Sequence, residues 1–257
     1  GIVLSGDAGL GKSRLVHDLL ARLPDDWTVF ETACVAHGMN SSYHPVSALI
    51  RTMLGVAPDD SPAKVAERTA EVMQRIDPAL LPPVLSLLDV ESDDPQWRRL
   101  EPTERRIKVI DALKALAFNQ ASRTPLLILV EDVHWIDAET ALIMRSIAAE
   151  LAGKRILLLA TQRPNARPLG PNLKRIDLSA LDPAMSRQLL DWLMGRDAGL
   201  AALKKTLLDQ AQGNPLFIEE LVQALRDHNI LEGQPGRYRV AAAAPRIDVP
   251  PTITSVL

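Results

Sequence analysis

Residues 6–15 read GDAGLGKSRL, and within them Gly6, Gly11, Lys12 and Ser13 fall on the spacing G-x-x-x-x-G-K-[ST]. Ile2, Val3 and Leu4 before the stretch form a short apolar run, and Leu15, Val16, Leu19, Leu20 and Leu23 after it recur at helical spacing. The pattern therefore predicts strand, loop and helix in that order. In such a loop the glycines let backbone N–H groups turn inward around phosphate oxygens, and the first turn of the helix adds its positive dipole end. Lys12 is the cation that reaches the β- and γ-phosphates, and Ser13 is the hydroxyl that ligates Mg²⁺. On this reading Gly6, Asp7, Ala8, Gly9, Leu10, Gly11, Lys12, Ser13 and Arg14 form a cradle for ATP. The plain alternative is a glycine-rich turn ahead of a helix. At ordinary residue frequencies the spelling arises by chance in roughly one chain of this length in a hundred.

A phosphate loop of this kind calls for an acidic residue at the end of a neighbouring apolar strand, to hold Mg²⁺ and position the attacking water. Residues 126–135, LLILVEDVHW, supply it. The continuous apolar run 126–130 reads as a strand buried on both faces of a parallel sheet, and Glu131 and Asp132 follow at its carboxyl end. Both are candidates for the metal and for catalysis. Glu131 takes the metal-side position, and Asp132 the place from which a carboxylate orients or deprotonates water. Because alternate strand residues face opposite ways, the division of labour between the two stays open. The next strand, in LLLATQRP, ends with Thr161 and Arg163 at the sheet edge where open α/β folds bind ligands. Arg163 is a candidate catalytic residue sensing the γ-phosphate, or else an arginine paired with a nearby carboxylate.

Around these motifs the chain alternates. Residues 28–35 (TVFETACV) read as a second strand, ended by a loop-like stretch over 37–40. From His44 to about residue 122 the pattern is helical, and Pro45, Pro58, Pro62, Pro78, Pro82, Pro83, Pro95 and Pro102 divide it into several short helices. After the strand at 126–130 come a helix over about 138–151, a strand over 155–161 and a short strand near 175–178. Such alternation marks an α/β protein, here a P-loop NTPase three-layer sandwich with a parallel sheet and a helical insertion at about 44–122. Beyond Asp182 the expected helices cover 183–195, 199–212 and 215–228, followed by a hairpin over 231–240 turning at Gln234-Pro235-Gly236. The alanine run 241–244, with Pro245, Pro250 and Pro251, reads as a connector leading to a helix that starts over 252–257. The expected domains are thus an α/β core over 1–181 and a C-terminal helical lid over 182–257, with a hairpin and a truncated connector.

Composition narrows the function classes. With 257 residues, 47% hydrophobic and 24% charged, the chain suits one large core with a smaller appendage and leaves little room for extended disorder. A net charge of −3 denies the surface a basic field, so direct nucleic-acid binding by this segment is not expected. Cys34 is the single cysteine, which excludes an internal disulfide and fits a cytoplasmic location. The apolar runs at 126–130 and 156–160 fall far short of the roughly 20 residues of a membrane-spanning helix, so no membrane partner is expected. With no leader, and an opening on Gly1-Ile2-Val3-Leu4, the chain reads as a piece of a larger polypeptide.

Taken together, GDAGLGKSRL, LILVEDVHWIDAET, ATQRP, QGNPLFIEELVQAL and VPPTITSVL resemble the ATPase core of the signal-transduction ATPases with numerous domains (STAND). The likeness is to the branch found in bacterial adenylate/guanylate cyclases and large LuxR-type regulators. It covers nearly the whole chain, and its distinctive parts are the acidic pair followed by His-Trp and the Gly-Asn-Pro-Leu-Phe segment. The resemblance implies that the Gly-x-Pro segment belongs to the lid and that its proline contacts the base or ribose, which makes Gly213 and Pro215 candidate nucleotide contacts. A proline that simply starts a helix is the alternative. The resemblance further implies an upstream segment that encloses the adenine and a downstream winged helix and helical repeats. It implies effector and sensor domains in the same polypeptide and nucleotide-dependent self-association. The mechanism implied is a switch that ATP·Mg²⁺ closes and slow hydrolysis to ADP resets.

The expected function is therefore that of a slow ATPase acting as the regulatory module of a signalling protein, a cyclase or a transcriptional regulator. A DNA-acting initiator or clamp-loader-like ATPase is one alternative, disfavoured by the acidic balance; a nucleotide-gated scaffold that does not hydrolyse ATP is the other. Cys34, His37 and His44 match no zinc spacing. His134 and Trp135 either report the nucleotide state or pack against the helix that follows. Arg98, Arg99, Arg105, Arg106 and Lys108, with Glu101 and Glu104 interleaved, form a solvated helical face or supply an arginine finger.

Overall fold

The structure, a computed structural model, describes residues 1–36, 43–170 and 172–241. His37, the side chain of His44, and the expected connector and helix start beyond residue 241 lie outside the described residues. By Cα proximity the chain divides into two compact units, Gly1–Ser5 with His17–Asp177 and Gly6–Val16 with Leu178–Leu257. The second unit groups the glycine loop with the C-terminal segment.

The first unit is built on five parallel strands: β1 (Ile2–Ser5), β2 (Thr28–Ala33), β3 (Leu126–Glu131), β4 (Ile156–Gln162) and β5 (Lys174–Asp177). Their order is β2-β3-β4-β1-β5. One expectation needs correction here. The strand carrying Glu131 is not the neighbour of β1, because β4 lies between them, pairing Val3 with Ala160 on one side and Val130 with Ala160 on the other. At about 4.8 Å per strand this separates the ends of β1 and β3 by roughly 10 Å. The central position of β4 follows from its apolar run, with Leu158, Leu159 and Ala160 at most 2% exposed. β5, reading KRID and exposed throughout, takes an edge, where charge discourages pairing with another chain.

Between β2 and β3 run α2 (His44–Leu54), α3 (Pro62–Met73), α4 (Leu81–Leu87), α5 (Pro95–Arg99) and α6 (Pro102–Arg123). Proline opens α3, α5 and α6, where its missing N–H costs nothing. No proline follows until Pro125, so α6 runs for 22 residues rather than breaking into short pieces. Its buried residues Val109, Ala112, Leu113, Leu116, Ala117 and Ala121 form one stripe. These helices share a single core with the sheet, in which Ile50, Met73 and Ala112 join Ile128, Leu158 and Ile143 of α7 (Ala138–Ala149). A polar clasp ties the same layers together. The Tyr43 hydroxyl donates to Glu139 Oε2 at 3.1 Å, and Arg106 donates to Glu139 Oε1 at 2.6 Å. Burial, reinforced by the Glu139 charge, pushes the Tyr43 phenol up to about 12.

In the second unit α1 (Lys12–Leu20) begins, although its last turn belongs to the first. It also contains α8 (Pro183–Met194), α9 (Ala201–Ala211), α10 (Pro215–Asp227) and the hairpin β6 (Leu231–Glu232) with β7 (Arg239–Val240). Leu190, Leu203, Leu207, Ile218, Leu221 and Tyr238 make its core. Lys204, buried on α9, bonds Asp191 and the Gly195 carbonyl and so fastens α9 to the end of α8. Between α9 and α10 the backbone turns through two successive left-handed residues, Gln212 (φ 47°) and Gly213 (φ 80°). Glycine is required at 213 also for space, since a Cβ there would lie 2.3 Å from the Leu181 carbonyl oxygen. Among the described residues, no helix is long and apolar enough to cross a membrane.

Candidate functional site

Ser5 ends β1, and the glycine loop follows it directly in the chain. Gly9 (φ 79°) and Gly11 (φ 92°) adopt left-handed conformations that side chains oppose. Open space lies over Gly11, where an added Cβ would meet nothing within 4 Å. Lys12 Nζ donates to the carbonyls of Gly6 at 2.7 Å and Asp7 at 2.8 Å, which curls the ammonium over its own loop. α1 starts at Lys12, and the Leu15 amide donates to the Gly11 carbonyl at 3.0 Å as its first helical bond. The amides ahead of Leu15, including those of Ser13 and Arg14, belong to the turn that a helix leaves without internal acceptors. Positive-φ glycines, open space over Gly11, a helix start and a cation together suit a polyphosphate.

Gly213 and Pro215 are brought beside this loop within the same unit. The polar contact comes from the residue between them, which sequence reasoning passed over. Asn214 caps α10, its Oδ1 accepting from the Phe217 amide at 3.3 Å, while its Nδ2 donates to the Ala8 carbonyl at 3.0 Å. The Leu216 amide donates to the Gly9 carbonyl at 3.2 Å. Asparagine immediately before a proline that opens an apolar-periodic segment is a helix-cap signal, and that signal was available in the sequence.

In the first unit Glu131 is half-buried at the end of β3. Asp132, at φ 53° and ψ 44°, leaves the extended conformation, so strand alternation no longer sets where its side chain points. The Asp132 amide donates at 2.9 Å to Oγ1 of Thr161, a residue of β4 that is 2% exposed. The Asp132 side chain is 51% exposed, and its Oδ1 lies 3.8 Å from His134 Nδ1. A single 3₁₀ turn, Val133–Trp135, leads to Asp137, whose carboxylate caps α7 by accepting from Glu139 at 3.1 Å and Thr140 at 2.9 Å. Trp135 stays 38% exposed rather than packing fully on α7. With Leu142, Arg145, Arg163 and Arg167 it lines a groove of about 890 Å³. Arg163 is exposed there and makes no ion pair with a described residue, so the alternative of a paired arginine is not the one observed.

The other residues singled out by sequence serve locally. Arg98 pairs with Asp93 at 2.7 Å, and Arg105 donates to the Arg98 carbonyl at 2.8 Å and lies over the Trp97 ring. With Arg106 held by Glu139, the cluster behaves as a solvated helical face. Cys34 is 3% exposed, and burial first, then the charges of Asp137 and Asp132, pushes its thiol up to about 12. Such a thiol is neither nucleophile nor metal ligand near neutral pH. No three His, Cys, Asp or Glu side chains gather to hold a metal among the described residues. A magnesium ion would instead draw on a hydroxyl, one or two carboxylates and the phosphates of a nucleotide, the manner in which that ion is usually held.

The family described as AAA ATPase domain matches residues 1–159, and one described as a domain of unknown function matches residues 185–239. An uncharacterised protein of Rhizobium meliloti (strain 1021) is 30% identical over 232 residues, covering 86% of this chain and 22% of the relative. A signal transduction ATPase with numerous domains and a tetratricopeptide repeat sensor, from Pyrococcus horikoshii, superposes with a TM-score of 0.49 at 12% identity, covering 86% of this chain and 27% of that one. The chain thus spans less than a third of the length of either relative. The family match takes in more than half of the chain, from β1 into β4, and the chain belongs to the AAA ATPase domain family.

Proposed function

We propose that this chain is the ATP-binding, slowly hydrolysing switch module of a larger STAND-class signalling protein, with effector and sensor domains elsewhere in the polypeptide. The observation that carries the reading is the loop at 6–14, with Gly9 and Gly11 in left-handed conformations ahead of α1 and Lys12 curled over it. Membership of the AAA ATPase domain family supports it. In this reading Lys12 exchanges the Gly6 and Asp7 carbonyls for β- and γ-phosphate oxygens, and the amides of the loop and of the first helical turn take the remaining phosphate charge. Ser13 and Glu131 hold Mg²⁺, which supplies neutralising charge on the phosphates. Asp132 orients or deprotonates the attacking water, a role that its exposure and its release from strand alternation favour. Arg163 senses the γ-phosphate, while Gly213 and Pro215 contact the base or ribose. The nucleotide state governs self-association and the output of a cyclase or a transcriptional regulator.

Titration with ATP·Mg²⁺, ADP and GTP beside Lys12→Ala tests the site. ATP and ADP are expected to bind, and the variant to lose at least about tenfold in ATP affinity, since a charge-assisted bond contributes about 1.5–3 kcal/mol. Equal binding by Lys12→Ala overturns the assignment. Single-turnover assays with Glu131→Gln and Asp132→Asn test hydrolysis: phosphate release by the parent, lost in Asp132→Asn, is the expected result. No release from any of the three leaves a nucleotide-gated scaffold instead, and a salt-dependent shift of duplex DNA revives a DNA-acting ATPase.

A further inference from the structure

Asn214 uses both ends of its side-chain amide, Oδ1 accepting from Phe217 N and Nδ2 donating to the Ala8 carbonyl. A backbone N–H only donates and a carbonyl only accepts, so these two partners dictate which end of the amide is which. Leu216 adds a second link. It is the second residue of α10, one of the positions whose N–H has no acceptor inside the helix, and here the Gly9 carbonyl accepts from it at 3.2 Å. The fit is close, because a Cβ on Gly9 would fall 2.5 Å from Asn214 Oδ1 and 3.0 Å from Leu216 Cβ. The loop therefore meets the head of α10 through two consecutive carbonyls.

That choice of carbonyls has a geometric consequence. Across a trans peptide the C=O and the following N–H point in opposite directions. Holding the Ala8 and Gly9 carbonyls toward α10 turns the N–H groups of Gly9 and Leu10 away from it, free to face an anion. We propose that Asn214 is a positioning residue: it presets the Gly9 and Leu10 amides for phosphate and couples occupancy of the loop to the start of α10. Its ligand rests on the nucleotide reading above. Coupling is reciprocal, so a clasp that favours the phosphate-ready loop must itself tighten when phosphate binds.

Asn214→Ser separates this role from simple capping. Serine caps a helix about as well as asparagine but is too short to reach the Ala8 carbonyl, whereas Asn214→Ala removes both functions. The readouts are amide exchange at Leu216 and Phe217 by NMR, with and without ATP·Mg²⁺, together with ATP affinity and the melting temperature. In Asn214→Ser, Phe217 protection and melting should match the parent. Leu216 exchange should rise and ATP affinity fall by about threefold to tenfold, the worth of one net hydrogen bond. ATP should slow Leu216 exchange in the parent and not in the variant. Parent-like affinity and parent-like Leu216 exchange in Asn214→Ser would reduce Asn214 to a cap, and a lowered melting temperature with Phe217 exposed would mark a structural role alone; either overturns the proposal. A parent that binds no ATP sinks the nucleotide reading and the coupling with it, while the ligand-free Leu216 comparison still decides whether the clasp exists.

Discussion

The glycine loop and the end of β3 are built by opposite means. In the loop at 6–14 the groups proposed to act are backbone amides, the conformation depends on glycines at positive φ, and the support is hydrogen bonding from α10. At the end of β3 the groups proposed to act are carboxylates, carried on a strand whose five preceding residues, 126–130, are at most 2% exposed. A site of amides is damaged by adding a single carbon. A site of side chains on a packed strand is damaged by changing one functional group or by hollowing out what lies beneath it.

Four substitutions or treatments can break or sharpen that contrast. Asp132→Asn keeps shape and removes the base, so the single-turnover rate should fall by about 10²–10⁴ while ATP affinity stays within roughly threefold of the parent, since the bond from its amide to Thr161 is preserved. A parallel loss of affinity would mean that the acidic end serves binding rather than chemistry. Ile128→Ala hollows the strand at a residue 1% exposed, and denaturant titration should show a loss of about 2–5 kcal/mol. A loss well below this would deny β3 its part as a rigid support. Gly9→Ala adds one carbon at φ 79° against Asn214. Strain of about 1–2 kcal/mol should appear as a loss of that size in overall stability, and displacement of the loop should weaken ATP binding by roughly tenfold, measurable by titration.

The smallest effect concerns Cys34. Its folded-state thiol lies near 12 against an ordinary value of 9.0, so the folded form holds its proton where the unfolded chain would release it. The contribution to stability is fully present below about pH 9 and is lost between pH 9 and 12, as the unfolded thiol ionises first. A thiol reagent at pH 8 should therefore label the denatured chain and leave the native one almost untouched; rapid native labelling would contradict the packing around β2.

How much of this was legible beforehand depended on the range of the interaction. The strand, loop and helix at 2–20 could be read because glycine at positive φ and apolar spacing act over a few residues. The hairpin near Gly236 and the proline-opened helices were readable for the same reason. α6 ran longer than expected because the proline count that divides the preceding segment stops at Pro102. Local pattern placed Trp135 beside α7 but could not show that it borders a groove and keeps 38% of its surface exposed. The capping chemistry of Asn214 was visible in the sequence, whereas its bond to the Ala8 carbonyl depends on a contact between distant parts of the chain.

Alone, the amino-acid order determined the α/β class, the conformation of the glycine loop and the presence of two carboxylates at a strand end. Those are consequences of backbone sterics and of periodicities that repeat every two or 3.6 residues. Tertiary structure decided that β4 stands between β1 and β3, that Thr161 grips the Asp132 amide, and that Asn214 bonds a carbonyl 206 residues away. Such pairings depend on which apolar surfaces are buried together when the whole chain collapses, and no local window contains that information.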